Sequence, residues 1–244
     1  MVIENIEIDK TNEEFFLASE LVKYGHPLIY LTGKAGTGKT TFLKYLKKTT
    51  KKNTVIVSYT GVAAVNAGGL TINSFFKIPL GPFIPNDIRL RTKSEKTDID
   101  HSTIYNHFLY NKAQIDLLNG LELLIIDEVS MLRCDLLDVI DRLLKVFRKK
   151  ENIAFGGVQV LLIGDTFQLP PIDKEWHILQ PYYKSTFFFS SNVILNNKPF
   201  YIELKKIYRQ NELEFIELLN KIRINNVSKN DLIPHFCPVK NQII

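Results

Sequence analysis

Four short stretches carry residue types suited to phosphate chemistry. Gly33 to Thr41 reads G-K-A-G-T-G-K-T-T and satisfies the loop pattern G-x-x-x-x-G-K-[ST]. In such a loop, backbone N–H groups and a helix N-terminus are aimed at phosphate oxygens. Gly33, Lys34, Ala35, Gly36, Thr37, Gly38, Lys39, Thr40 and Thr41 therefore form a candidate cradle for a nucleoside triphosphate. The Lys39 ammonium is expected at the β- and γ-phosphates, and the Thr40 hydroxyl on Mg²⁺. Asp127-Glu128 follows four aliphatic residues. Asp127 is a candidate Mg²⁺ carboxylate, and Glu128 a candidate base that polarises an attacking water. Gln168 offers an amide able to touch both γ-phosphate and nucleophile. Arg209 is a candidate arginine finger for the charge that develops during phosphoryl transfer.

These groups need elements to hold them. Leu28 to Leu31 is an apolar run ahead of the phosphate loop, and helix-compatible Phe42 to Leu46 follows it. Val55 to Val57, Leu123 to Ile126, Val158 to Ile163 and Phe200 to Leu204 read as further strands, mostly apolar on both faces. Helices are expected from Thr11 to about Tyr24, over 62–67 and over 135–148, with a closing helix placing Phe215, Leu218, Leu219 and Ile222 on one side. Thr11 and Glu14 have the spacing of a capping box, which predicts Thr11 as the N-cap. Strands alternating with helices predict an α/β fold with a parallel sheet covered on both faces. Such sheets bind ligands beyond the carboxyl ends of their strands, where the phosphate loop, Thr60, Asp127-Glu128 and Gln168 all fall. Residues 79–112 are polar and Pro-broken, and read as an insertion decorating the core.

Composition narrows the class. The 244 residues are 45% hydrophobic, which is enough for one large domain. A net charge of +5 permits a polyanionic partner without requiring one. Cys134 and Cys237 are too few for a disulfide framework, and the five histidines lack ligand spacing. The first ten residues lack the apolar core of a signal peptide, and no apolar run is long enough to span a bilayer. An intracellular protein is expected, nuclear or mitochondrial in a eukaryote and cytoplasmic in a bacterium or virus.

Five stretches together resemble the PIF-type (petite integration frequency) DNA helicases of superfamily one, group B. They are GKAGTGKTT at 33–41, TGVAAVNAGGLTINSFF at 60–76, LLIIDEVSMLR at 123–133, GDTFQLPPI at 164–172, and YRQ at 208–210 with FIELLNKIR at 215–223. DLLDVIDRLLKVFR through FGGVQVLLIGD looks like that family's own signature. The resemblance implies a RecA-like phosphate-loop NTPase fold and an ATP- and Mg²⁺-dependent motor. Such a motor moves 5′ to 3′ on single-stranded DNA and opens forked or structured duplexes in repair, recombination and telomere maintenance. It implies nucleotide, metal or water contacts for Lys39, Thr40, Asp127, Glu128, Gln168 and Arg209, and DNA contacts for Thr60, Thr71, Asn73 and Ser74. Residues 79–112 match a wedge-bearing subdomain, in which Phe83 either stacks on a base or packs in the core.

The chain departs from the family pattern in three ways. Phe16 stands where the family has an adenine-reading glutamine, and Asn73 where a histidine is frequent. Residues 1–244 are expected to form one RecA-like domain, without the second that completes such motors. Two other readings remain: a non-motor module binding nucleotide and single-stranded DNA, and an unrelated nucleotide kinase. The Gly-Asp-x-x-Gln-Leu-Pro-Pro and Tyr-Arg-Gln elements argue against the kinase.

Overall fold

A computed structural model describes residues 11–92, 103–208, 218, 221–223, 225, 226 and 228. Six strands form one fully parallel sheet: β1 (Leu28–Gly33), β2 (Thr54–Ser58), β3 (Leu70–Thr71), β4 (Leu123–Asp127), β5 (Gln159–Ile163) and β6 (Phe200–Leu204). Their spatial order is β3-β2-β4-β5-β1-β6. The phosphate-loop strand β1 thus lies beside β5, and β4 lies between β2 and β5. The expected α/β class is therefore what the structure has.

Continuous apolar runs become strands buried on both faces because alternate side chains enter different layers. Ile29, Leu31, Leu123, Ile125, Leu161 and Ile163 pack in one cluster. There they meet α1 (Glu13–Lys23) and α2 (Lys39–Thr49) through Phe15, Ala18, Phe42, Leu43 and Leu46. Their neighbours Leu28, Tyr30, Leu124, Ile126, Val160 and Leu162 enter the other cluster. That layer is covered by α4 (Ile72–Phe76), α6 (Lys112–Gly120), α7 (Cys134–Phe147) and α9 (Asn192–Asn196). Short helices α3 (Gly61–Ala67), α5 (Ile104–His107) and α8 (Trp176–Leu179) lie between the strands, and Leu218 and Lys221–Arg223 are also helical. No described helix is long and apolar enough to cross a membrane.

Several local expectations are corrected. The N-cap of α1 is Asn12, whose Oδ1 accepts from the Phe15 N–H at 3.0 Å; Thr11 lies one residue outside and accepts from Lys206 Nζ. Asn12 wins because its amide also reaches the Tyr208 hydroxyl, at 2.7 Å, where it is 2% exposed. The segment 79–112 is not uniformly irregular: it contains α5 and a short 3₁₀ turn, Ile88–Leu90, and α6 begins at its end. Asn111 and Gln114 form the capping box that starts α6. Phe83, Ile104 and Phe108 are each at most 1% exposed and join the same core as β2 and β4. Phe83 therefore packs in the core, with the Arg89 guanidinium 3.9 Å from its ring centre, and offers no open face to a base.

The helix α7 buries the expected Leu136, Ile140, Leu143 and Phe147. Its acids do more than complement the helix dipole. Asp135, Asp138 and Asp141 recur every three residues, and each collects backbone N–H groups from a different loop. Asp135 accepts from Phe83, Asp138 from Asn192 and Val193, and Asp141 from Phe155, over 2.6–3.0 Å. Charge-assisted bonds to otherwise unpaired loop amides thus pin the insertion, α9 and the approach to β5 onto one helix.

Candidate nucleotide site

The phosphate loop begins where β1 ends. Gly33 has φ +154, and a Cβ there would lie 2.5 Å from Thr37 Oγ1 and 2.8 Å from the Leu204 carbonyl, so a side chain has no room. Thr37 is 1% exposed and its hydroxyl donates to the Lys34 carbonyl at 2.8 Å, closing the loop on itself. Gly38 is left-handed (φ +94) and is the N-cap of α2, so the first N–H groups of this helix meet no side-chain cap. Lys39 Nζ donates to the carbonyls of Gly33 at 2.7 Å and Lys34 at 3.3 Å. Burial lowers the Lys39 pKa, opposed by the charges of Asp165, Glu128 and Asp127.

Thr40, Thr60, Asp127, Glu128 and Gln168 line one cleft of about 660 Å³, joined by Lys44, Met131 and α3. Each sits at or after a strand's carboxyl end, on one edge of the parallel sheet. Burial, then the neighbouring Glu128, raises the Asp127 carboxyl to about 6. Glu128 is left-handed (φ 51, ψ 47), an uncommon conformation for a residue with a side chain, and it opens the 3₁₀ turn Val129–Met131. Gln168 is exposed, and its N–H donates to the Asp165 carbonyl at 2.9 Å.

The Thr40 hydroxyl and the Asp127 carboxylate are hard oxygen donors on one cleft, the set that Mg²⁺ takes when phosphates and water complete its shell. Burial and the Glu128 charge outweigh the nearby Lys39 ammonium at Asp127, and a bound cation would offset that cost of ionising it. That shift has a thermodynamic consequence. The folded chain binds this proton more readily than the unfolded one, so stability falls as pH rises from about 4 to 6 and stays lowered above. Asp127→Asn is expected to stabilise the metal-free chain by about 2 kcal/mol at pH 7, with no gain below pH 4. Thermal unfolding in EDTA at both pH values checks this, and equal midpoints at pH 7 would refute it.

The remaining sequence-singled residues fall as follows. Arg209 lies outside the described residues. Its neighbour Tyr208 donates its N–H to the Gly36 carbonyl at 3.0 Å, and its ring would lie 3.5 Å from a Cβ at Gly38. Phe16 is 60% exposed on α1. Thr60 Oγ1 caps α3 by accepting from the Ala63 N–H at 3.2 Å, and Thr71 Oγ1 caps α4 by accepting from the Ser74 N–H at 3.2 Å. Asn73 Nδ2 donates to the Ile78 carbonyl at 2.9 Å, while Ser74 is exposed. Only Thr60 of these four lines the nucleotide cleft; the others lie at the sheet edge formed by β3.

Sequence reasoning missed the roles of Asp165 and Arg223, which form an ion pair at 2.8 Å beneath the loop bearing Gln168. It also placed Ile222 on a buried face, but Ile222 is 43% exposed; of the residues on that face, Leu218 is buried, and Phe215 and Leu219 lie outside the described residues. The chain turns Arg223 inward instead, toward a buried carboxylate no local pattern announces.

A glycine loop closing β1, an acid pair on the next strand but one and a Gly-Asp-x-x-Gln turn between them define a RecA-like phosphate-loop NTPase domain. A model of the PIF1-like helicase family matches residues 16–232, and the chain belongs to that family. It is 34% identical over 214 residues to the ATP-dependent DNA helicase PIF1 of Saccharomyces cerevisiae, covering 85% of this chain and 22% of that protein. It is 32% identical over 202 residues to human PIF1, covering 82% and 28%. Among solved structures, Bacteroides Pif1 bound to single-stranded DNA is similar with a TM-score of 0.77 and 42% identity, covering 93% of this chain and 49% of that one. Pif1 from Bacteroides in complex with ADP-AlF3 and single-stranded DNA has a TM-score of 0.78 at 42% identity, with the same coverage. The chain thus spans about a quarter of these two PIF1 proteins and half of the solved ones.

Proposed function

We propose that this chain is the N-terminal ATPase domain of a 5′-to-3′ DNA helicase. The observation that carries the proposal is the convergence of Lys39, Thr40, Asp127, Glu128 and Gln168 at adjacent strand ends, in a chain belonging to the PIF1-like family. Lys39 would exchange its two loop carbonyls for β- and γ-phosphate oxygens, and the N–H groups of α2 would hold the rest of the triphosphate chain. Mg²⁺ held by Thr40 and Asp127 would neutralise developing charge on the phosphates. Glu128, held in a left-handed backbone conformation, would take the proton of the attacking water. Gln168 would report the γ-phosphate, and Arg209 would stabilise the transferring group. Together with a second RecA-like domain of the complete protein, this cycle would move single-stranded DNA and open forked duplexes. Repair, recombination and telomere maintenance, in nucleus or mitochondrion, are the matching roles in a eukaryotic cell.

Thr60, Thr71, Asn73 and Ser74 would hold the DNA backbone. Their cap bonds use the oxygens of Thr60 and Thr71 as acceptors, so both hydroxyl protons remain able to donate to a phosphate. The insertion at residues 79–112 would lie near the strand-separation point as a wedge.

Fluorescence anisotropy with a labelled single-stranded oligonucleotide tests the DNA half of the proposal. Affinity should fall linearly in log–log form as salt rises, through counterion release. An affinity indifferent to salt would exclude backbone contacts. Hydrolysis that does not require Mg²⁺ would exclude the roles given to Thr40 and Asp127.

A further inference from the structure

We propose that Arg223 is a positioning residue for Gln168, and that through the turn 165–168 it sets how well the site distinguishes a nucleoside triphosphate from a diphosphate. The inference rests on the nucleotide site proposed above. Arg223 grips Asp165 with a two-pronged fork, Nε to Oδ2 at 2.8 Å and Nη2 to Oδ1 at 3.1 Å. Asp165 is 1% exposed, so its carboxylate depends on protein partners for solvation. The same carboxylate accepts from the Phe167 N–H at 3.1 Å, and the Asp165 carbonyl accepts from the Gln168 N–H at 2.9 Å. Asp165 therefore shapes the turn that presents Gln168, and Arg223 orients Asp165.

A second contact fixes the other side of that turn. The Arg223 guanidinium lies 4.2 Å from the ring centre of Phe167, within cation–π range. Phe167 is 60% exposed, so this contact and its backbone bond hold it without core packing. One guanidinium thus holds the two side chains on either side of Thr166, just ahead of Gln168. The fork needs a planar guanidinium, which an ammonium cannot supply. Arg223 comes from a helical stretch, Leu218 and Lys221–Arg223, that follows Tyr208 in the chain. A shift of that stretch would reach Gln168 through Arg223.

The test separates positioning from charge and from simple structural support. Fluorescent ADP and a fluorescent non-hydrolysable ATP analogue are titrated, with Mg²⁺, into wild type, Arg223→Lys, Gln168→Ala, their combination, and the Asp165→Asn/Arg223→Gln pair. The neutral pair avoids stranding a buried carboxylate and so protects the fold. Arg223→Lys and the neutral pair should each weaken triphosphate binding about tenfold, as expected for losing a bidentate charged contact, with ADP affinity unchanged. Gln168→Ala should do the same, and adding Arg223→Lys to it should weaken binding no further. Parallel loss of ADP affinity would make Arg223 a structural pin and overturn the proposal. Wild-type discrimination in the neutral pair would show that the guanidinium fork is dispensable and overturn the proposal, and additive losses with Gln168→Ala would sever the link to Gln168. Failure of the wild-type chain to bind either nucleotide would overturn the nucleotide site itself.

Discussion

Lys39→Ala should lower affinity for ATP and ADP about a hundredfold, the consequence of removing a charge-assisted contact to the β- and γ-phosphates. The site is built around this ammonium. Its position is set by α2, which starts at Lys39 itself, and by a loop whose Gly33 tolerates no Cβ. Asp165, Glu128 and Asp127 surround it and sustain its charge against burial. The alanine variant leaves the phosphates without the ammonium in a site whose nearby charges include these carboxylates, so repulsion adds to the lost contact. Isothermal titration calorimetry reads the loss, and circular dichroism checks that the fold is retained. Nucleotide affinity equal to wild type in a folded Lys39→Ala variant would remove the site from the phosphate loop.

Glu128→Gln should separate binding from turnover. The amide keeps the shape and neutralises the base, so kcat is expected to fall by about 10²- to 10⁴-fold. Nucleotide affinity should stay within a few-fold of wild type, because Glu128 meets water rather than the phosphates' charge. The left-handed backbone at Glu128 supports this role. An acid there strains the chain where glycine would sit freely, and such strain is typical of functional positions. Single-turnover hydrolysis with saturating ATP measures the chemical step. A variant that turns over at the wild-type rate would leave Glu128 a structural residue.

Much of the site was legible because its signals are local. A phosphate loop needs glycines, a lysine and a hydroxyl at fixed separations, and all are consecutive in the chain. The strand ends were legible because burial on both faces demands unbroken aliphatics, and Asp127-Glu128 and Gly164-Asp165 interrupt them abruptly. Helix starts were less secure. Thr11 and Asn12 are both good caps, and the choice fell to Asn12 through Tyr208, 196 residues away. The insertion was harder still, because Phe83, Ile104 and Phe108 are isolated apolar residues in a polar stretch, and only the surface of α7 and the sheet gives them a place to be buried.

The sequence by itself determined the phosphate loop, the parallel α/β sheet, the acid pair and the family, since each depends on residue type at short spacing. Tertiary structure alone decided which of these act together. The strand order β3-β2-β4-β5-β1-β6 gathers Thr60, Asp127, Glu128 and Gln168 around Thr40. It also decided the Asp165–Arg223 pair, the three loops tied to Asp135, Asp138 and Asp141, and the raised Asp127 carboxyl. The physical reason is the same in each case. Backbone patterns are written in neighbouring residues, whereas burial and the field of a distant charge exist only once the chain has closed around them.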